Sequence, residues 1–411
     1  MSISLIGKSI SQSATLALNE KAAILKAKGE PVIHLGSGEP KSPAPLDALV
    51  AAAALISSGE VRYTPADGLI ELKQAIIKYT EDFYEKKVGP LNVIASSGAK
   101  QSIMVALQAI LNPQEEVIFP APYWVSYPEM VKLVGGIPVP VHPLDGTFYP
   151  TVDDIEQYIT SYTKCVIINS PNNPTGVMYS EDFIAGVVEL CEKRGLWLIM
   201  DDIYHRLIFD GRKLINCNKF AKDQSENSKL IIVNGVSKQY AMTGFRIGWA
   251  VGNKKLIEVM TNIQSHQTSG PSVVTQKAAV GALNGVQSQV ESLRETLENN
   301  RNIMIKRLKA FDGVKFTKPD GTFYCFVDFS AYTKRFEHNS TKLADFLLEK
   351  VRVATVPGIE FGMKNGCYLR LSTCGSVKDI TEGIERIKWT LDPESPNELY
   401  IGERKLVRDW L

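Results

Sequence analysis

Ser237, Lys238 and Arg246 stand close together in the stretch Val236–Gly248 and are the residues best placed to do chemistry. The apolar run Leu230–Val233, ending in Asn234-Gly235, reads as a buried strand that leads straight into them. A lysine delivered at such a strand end, among small and apolar residues, has its charged form disfavoured by desolvation. The neutral amine is a nucleophile and can form a Schiff base with a carbonyl. Ser237 and Arg246 can hold an anion beside it, and the planar guanidinium suits phosphate. An aldehyde that also carries a phosphate is pyridoxal 5′-phosphate (PLP), which this stretch could anchor. A Ser-Lys pair alone is commonplace, and most lysines are solvated surface charges. The reading therefore depends on the other pieces.

Those pieces are present. Ser96-Ser97-Gly98-Ala99 ends one strand candidate and opens a helix near Lys100. A helix N-terminus offers unpaired amides and the positive end of a dipole. Gly98, Ala99, Lys100, Ser237 and Arg246 thus make a phosphate cup, to which Tyr63 could add a hydroxyl. In LWLIMDDIYHRL, Asp201 and Asp202 end a buried strand at the carboxyl edge, where open α/β sheets bind ligands. A buried carboxylate facing a pyridine nitrogen keeps it protonated, and the protonated ring is the electron sink of PLP chemistry. Tyr204, and Asn173 in NSPNNPTG, can reach the ring's phenolic oxygen, while Trp124 in APYWVSYPEM can stack on the ring. The same residues also read as a helix cap, a turn and a core tryptophan. Arg370 lies in the alternating segment Tyr368–Ser372, where an arginine is costly unless paired. A substrate α-carboxylate would pair it, as would an internal carboxylate.

The whole chain is compatible with an enzyme of this kind. At 411 residues it is long enough for two domains, and 44% hydrophobic with 22% charged residues is an ordinary globular composition. A net charge of +1 argues against nucleic acid or an anionic membrane as the main partner. No apolar run approaches membrane-spanning length, and MSISLIGKSISQSATLALNEK lacks the pattern of a signal peptide, so a cytoplasmic location is expected. Cys165, Cys191, Cys217, Cys325, Cys367 and Cys374 are scattered, as are the five histidines. Neither a disulfide framework nor a metal site is expected, and the thiols should be reduced and mostly buried.

The elements that must position these groups follow from periodicity. Short β-branched runs at Asn92–Ala95, Glu116–Phe119, Ile137–Val141, Cys165–Asn169, Leu196–Met200, Leu230–Val233 and Ile247–Val251 read as strands. Between them Gln101–Leu111 and Glu181–Arg194 have apolar residues at helical spacing. Strands buried on both faces and separated by helices make a mostly parallel, seven-stranded α/β sheet. The last strand follows Lys238 too closely for a helical crossover and should run antiparallel. A long helix, Val290–Phe311, leads to new strands at TFYCFVDF and near Val353 and Tyr368. These form a smaller α/β domain joined by the N-terminal segment. The expected division is 46–300 for the large domain, 1–45 with 301–391 for the small one, and 392–411 as an extension without a readable pattern.

Taken together, VNGVSKQYAMTGFRIGWAVG, NSPNNPTGVMYS, APYWVSYPEMVKLVGG and the Asp201/Tyr204 pair resemble the class I PLP-dependent aminotransferases of fold type I. The bacterial aspartate aminotransferase branch is the most similar, over roughly Ser13 to Leu391. The resemblance implies that Lys238 carries the Schiff base and later shuttles a proton, and that Asp201 pairs with the pyridine nitrogen. It implies that Tyr204 and Asn173 contact the ring oxygen and that Trp124 stacks on the ring. Gly98, Ala99, Ser237 and Arg246 would hold the phosphate, with Tyr63 reaching in from the partner subunit of a homodimer. Arg370, Asn173 and the backbone of Gly38 would bind the substrate α-carboxylate. Lys100 and Thr15 would meet a distal carboxylate, and the N-terminal segment would close over the substrate. The implied reaction is reversible transamination between an L-amino acid, aspartate or glutamate, and a 2-oxo acid. Aromatic or other neutral amino acids, prephenate, or β-lyase chemistry on the same fold are the alternatives. A PLP-sensing regulator would need a basic helix-turn-helix domain, for which neither the stretch before Ser13 nor the charge gives support. Departures from the family pattern are Lys41-Ser42 after Gly38-Glu39-Pro40 in place of Asp-Phe, Asp202 in place of Glu, Phe245 in place of Trp, and Leu-Ser-Thr-Cys-Gly-Ser after Arg370. They bear on which amino acid is used more than on the reaction type.

Overall fold

Aliphatic runs with no polar alternation can be buried only between two layers of helix, and seven of them assemble into one sheet in the computed structural model. The structure describes residues 3–144, 146–223, 226–402 and 404–408. The chain enters through helices α1 (Leu5–Ser9) and α2 (Ala14–Ala27), strand β1 (Ile33–His34), and helices α3 (Leu46–Ser58) and α4 (Ile70–Tyr84). The sheet strands are β2 (Val93–Ser96), β3 (Glu116–Pro120), β4 (Ile137–Val141), β5 (Thr163–Asn169), β6 (Trp197–Asp201), β7 (Leu230–Gly235) and β8 (Gly248–Val251). Helices α5 (Ala99–Ile110), α6 (Ser126–Leu133), α7 (Val152–Glu156) and α8 (Glu181–Arg194) connect successive strands from β2 to β6. The spatial order is β2-β8-β7-β6-β5-β3-β4. Only β8 runs antiparallel to its neighbours, β2 and β7, as its short link to Lys238 requires.

The two faces of the sheet alternate residue by residue, as the period of a strand dictates. Ile94, Val117, Ile167, Ile199 and Ile231 pack with Ile103 and Leu107 of α5 and with Leu256 and Met260 of α9 (Lys254–Gln267). Val93, Ile118, Val166, Ile168, Leu198 and Ile232 pack instead with Ile76 of α4, Val187 of α8 and Ala278 of α10 (Val273–Asn284). Helix ends follow local chemistry. Ser180 caps α8 by accepting from the Phe183 amide at 3.1 Å, acidic Glu181 and Asp182 open it, and Gly195 at φ 66° closes it.

Helix α11 (Ser288–Lys309) carries the chain to β9 (Lys315–Phe316), β10 (Tyr324–Asp328), α12 (Ser340–Val351), β11 (Val353–Ala354), β12 (Val356–Pro357), β13 (Tyr368–Ser372) and α13 (Val377–Leu391). An antiparallel sheet of order β12-β13-β10-β9 forms there, and β1 pairs in parallel with β11. A separate core surrounds Leu35, Leu308, Phe329, Leu347, Leu371 and Ile384. We propose 46–300 as the large domain, with 1–45 and 301–391 as the smaller one. Beyond Leu391, where the sequence shows no pattern, the chain folds into a hairpin of β14 (Glu398–Ile401) and β15 (Arg404–Val407). Leu399 and Leu406 pack against the second core, and Pro396 O accepts from Trp389 Nε1 at 2.7 Å. Arg404 Nη1 reaches Glu30 Oε2 at 3.2 Å, an oxygen shared with Arg352 Nε at 2.6 Å.

One close approach links the sheet to the loop before α5. A Cβ placed on Gly248 would lie 2.1 Å from Ala99 N and 2.6 Å from Gly98 C. Backbone cannot yield as a flexible side chain does, so Gly248→Ala should destabilise the protein by about 1–3 kcal/mol in chemical denaturation. Unchanged stability would contradict this packing.

Candidate active site

The carboxyl ends of β5, β6 and β7, the start of α5, helix α2 and strand β13 surround one cavity of about 450 Å³. Lys238 enters it from the turn after β7, and its Nζ donates to the carbonyl of Gly38 at 2.7 Å. Among the described residues no carboxylate lies within 4 Å of that nitrogen. Burial pulls the Lys238 pKa from 10.5 down to about 8; Arg370 and Arg246 push the same way, against Cys374 and Glu39. A substantial fraction of this amine is therefore uncharged near neutrality, which an ordinary lysine is not.

The anion cup takes shape around Gly98, whose φ of 90° ordinary side chains rarely adopt. A Cβ there would lie 2.4 Å from Arg246 Nη2, so the glycine makes room for the guanidinium. The Gly98 amide itself is spent on Ser96 O at 2.7 Å. The available donors are thus the first amides of α5, on Ala99 and Lys100, with Ser237 and Arg246. Arg246 donates to Thr243 O at 2.9 Å and to no carboxylate among the described residues. This donor set fits a phosphate dianion.

Asp201 ends β6 buried, and burial raises its pKa to about 6 against the hydrogen bond from Tyr127. Tyr127 Oη donates to Asp201 Oδ2 at 2.6 Å, and Asn169 Nδ2 donates to the Asp201 carbonyl at 2.8 Å. Asp202 points to the opposite side, where it accepts from Tyr84 Oη at 2.9 Å, because successive residues at a strand end face opposite ways. Tyr204 is buried beside Asp201, its ring edge-on to Phe323 and Tyr324.

Arg370, only 2% exposed, comes from β13 of the second unit. Its Nη1 donates to Asn173 Oδ1 at 2.9 Å and its Nη2 to Gly36 O at 3.1 Å, while Nε has no partner. The guanidinium lies 4.1 Å from the Tyr324 ring centre. Trp124 lines the same cavity, with Lys100 Nζ 4.9 Å from its ring centre. Burial lowers the Lys100 pKa, and Arg246 adds to the effect. Thr15, Leu16 and Asn19 of α2 close one side.

The structure therefore gathers Lys238, Asp201, Tyr204, Asn173, Trp124, Ser237, Arg246, Arg370, Gly38, Ala99, Lys100 and Thr15 around one cavity. Gly98 stands behind Arg246. Tyr63 is 97% exposed and does not line the cavity of its own chain. Sequence reading did not single out Tyr127, Asn169 or Asn19. The first two lie inside motifs that it did quote, but nothing in their spacing shows that they meet Asp201.

A family model for aminotransferase class I and II matches residues 30–387. The aspartate aminotransferase of Bacillus subtilis (strain 168) is 38% identical over 388 residues, 94% of this chain and 98% of that protein. The aspartate aminotransferase of Geobacillus stearothermophilus is 40% identical over 381 residues, 92% and 96% of the two chains. Among solved structures, the aspartate aminotransferase from Thermus thermophilus with maleate superposes at a TM-score of 0.88 with 33% identity, covering 94% of this chain and 99% of that one.

The lowered Lys238 pKa can be read directly on the ligand-free protein. Only the uncharged amine reacts with an acylating reagent, so labelling of Lys238 should rise with pH to half its maximum near 8. At that pH an ordinary lysine is uncharged in well under about 1% of molecules. Peptide mapping across pH 6–11 would measure it, and a midpoint above 10 would contradict the site.

Proposed function

Because this chain belongs to the class I and II aminotransferases and is a PLP-dependent enzyme of that kind, we propose that it transfers the amine of aspartate or glutamate reversibly to a 2-oxo acid. The observation that carries the reading is the pairing of Lys238 and Arg370 in one cavity. A buried guanidinium held only by the neutral oxygens of Asn173 and Gly36 is costly without an anion, and a substrate α-carboxylate supplies one.

The residues fit the cofactor. Ala99, Lys100, Ser237 and Arg246 suit its phosphate, and Asp201, a buried acid with no cation within 4 Å among the described residues, suits a protonated ring nitrogen. Trp124 would cover the ring, with Tyr204 and Asn173 at its oxygen. When bound, PLP supplies an electron sink for the charge that develops at the substrate Cα. Arg370 and Asn173 fix the α-carboxylate and so aim the Cα–H at Lys238. Lys238 Nζ, about half of it free of its proton near pH 8, takes the Cα proton and later returns it. Asp201 holds the ring nitrogen's proton throughout.

Lys100 and Thr15 also line the cavity and are assigned to the distal carboxylate. Lys100 Nζ has no carboxylate within 4 Å among the described residues, and the maleate of the Thermus thermophilus structure is itself a dicarboxylate. Tyr63, fully turned to solvent, is assigned to the phosphate of a partner subunit in a homodimer. Among the described residues no helix is long and apolar enough to cross a membrane, which accords with the cytoplasmic location we propose.

Two experiments test this reading. Borohydride reduction of the PLP-loaded protein should place a pyridoxyl group on Lys238, and Lys238→Ala should lose both label and turnover; full activity without the lysine would reject it. Lys100→Ala should cut turnover of aspartate and glutamate by roughly ten- to a hundred-fold, the value of about 1.5–3 kcal/mol for a charged hydrogen bond. Alanine and phenylalanine turnover should change far less. Equal losses on all four would remove the dicarboxylate preference.

A further inference from the structure

The acid that would face the ring nitrogen is not left to itself. Tyr127 lies in the first turn of α6 and is only 2% exposed. Its ring is edge-on to Trp124, with centroids 5.4 Å apart, and tilted against Phe119 at 5.8 Å. Burial holds its phenol well above its ordinary pKa, so the hydroxyl keeps its proton and acts as a donor. The acceptor is Asp201 Oδ2 at 2.6 Å. The other carboxylate oxygen, Oδ1, receives only a long bond from Ile203 N at 3.4 Å. One oxygen is thus fastened and the other keeps spare acceptor capacity.

Two effects compete at Asp201. Burial favours the neutral acid, and a neutral acid would not stabilise a protonated ring nitrogen. A hydrogen bond donated to a carboxylate favours the charged form and is about twice as strong as a neutral one. Titratable groups reach the pair from each neighbouring element. Lys238 comes from the turn after β7, Asp202 and Tyr204 from the continuation of β6, and Tyr179 stands near the Tyr127 hydroxyl. None of these donates a hydrogen bond to the Asp201 carboxylate, whereas Tyr127 does.

We propose that Tyr127 is a positioning residue that acts through Asp201. By donating to Oδ2 it keeps Asp201 ionised and presents Oδ1 to the cofactor, so that the ring nitrogen is held protonated. The same helical turn presses on Trp124, which ties the stacking residue to the acid. The inference rests on the PLP reading above and deepens it.

The test uses the holoenzyme loaded with PLP labelled with ¹⁵N in the ring, and reads the ring-nitrogen chemical shift from pH 6 to 9. Tyr84→Phe is the control, since it removes an equally buried hydroxyl from the adjacent Asp202, 2.9 Å away, on the opposite side. The native protein and Tyr84→Phe should show a protonated nitrogen throughout. Tyr127→Phe should move the signal toward the unprotonated nitrogen, increasingly so as the pH rises. PLP affinity should fall by about ten-fold or more, and kcat should drop with KM changing less. Should the phenylalanine variant fail to fold, Tyr127→Leu provides the donor-free measurement. An unmoved ring-nitrogen signal in the Tyr127 variant, or an equal shift in Tyr84→Phe, overturns the role. If the native protein takes up no PLP at Lys238, the previous reading falls instead, and the two failures are told apart by the borohydride label.

Discussion

Lys238, Arg370 and Asp201 share a small cavity without neutralising one another, and the rest of the structure serves that constraint. A salt bridge between Lys238 and Asp201, or between Arg370 and Glu39, would lock the amine in its charged form or occupy the guanidinium. Each charged group is instead tied to a neutral partner. Lys238 is held by a backbone carbonyl, Arg370 by an amide side chain and a second carbonyl, and Asp201 by a phenol. Neutral partners orient a charge without cancelling it, which leaves it to act on a ligand.

Holding charges this way needs partners from distant parts of the chain. Gly38 and Gly36 come from the segment after β1, Asn173 from the turn after β5, and Arg370 from β13. Lys238 and Arg370 each bond to a residue about 200 positions away, so the cavity exists only when those segments are packed together. Arg301 of α11, almost fully buried, grips Asp210 with both terminal nitrogens at 2.8 Å and Pro319 O at 2.7 Å. A two-pronged contact of this kind fixes angle as well as distance.

The C-terminal hairpin shows where sequence patterns fail. Its strands are four residues long, and only alternate side chains, Leu399 and Ile401 on one strand and Leu406 on the other, turn inward. Periodicity needs a longer window than that to rise above chance. The segment docks on Trp389, just before it in the chain, and on Glu30, which is remote from it in sequence. The long, strongly patterned α8 is the opposite case, with a serine cap, acidic first turn and terminal glycine all readable in the order they occur.

What the chain alone determined is the seven strands of the large sheet, their mostly parallel arrangement with β8 reversed, and the identity of the charged groups Lys238, Asp201 and Arg246 beside strand ends and Arg370 within a strand. These follow from local rules: buried runs make inner strands, and a short link forbids a crossover. Tertiary structure alone decided that Tyr84 donates to Asp202, and that Tyr127 and Asn169 close on Asp201 from two other elements. Local propensity carries no record of which hydroxyl or amide lies opposite a carboxylate once helices pack on a sheet. Distances between residues far apart in the chain are set by that packing, and protonation follows from the distances.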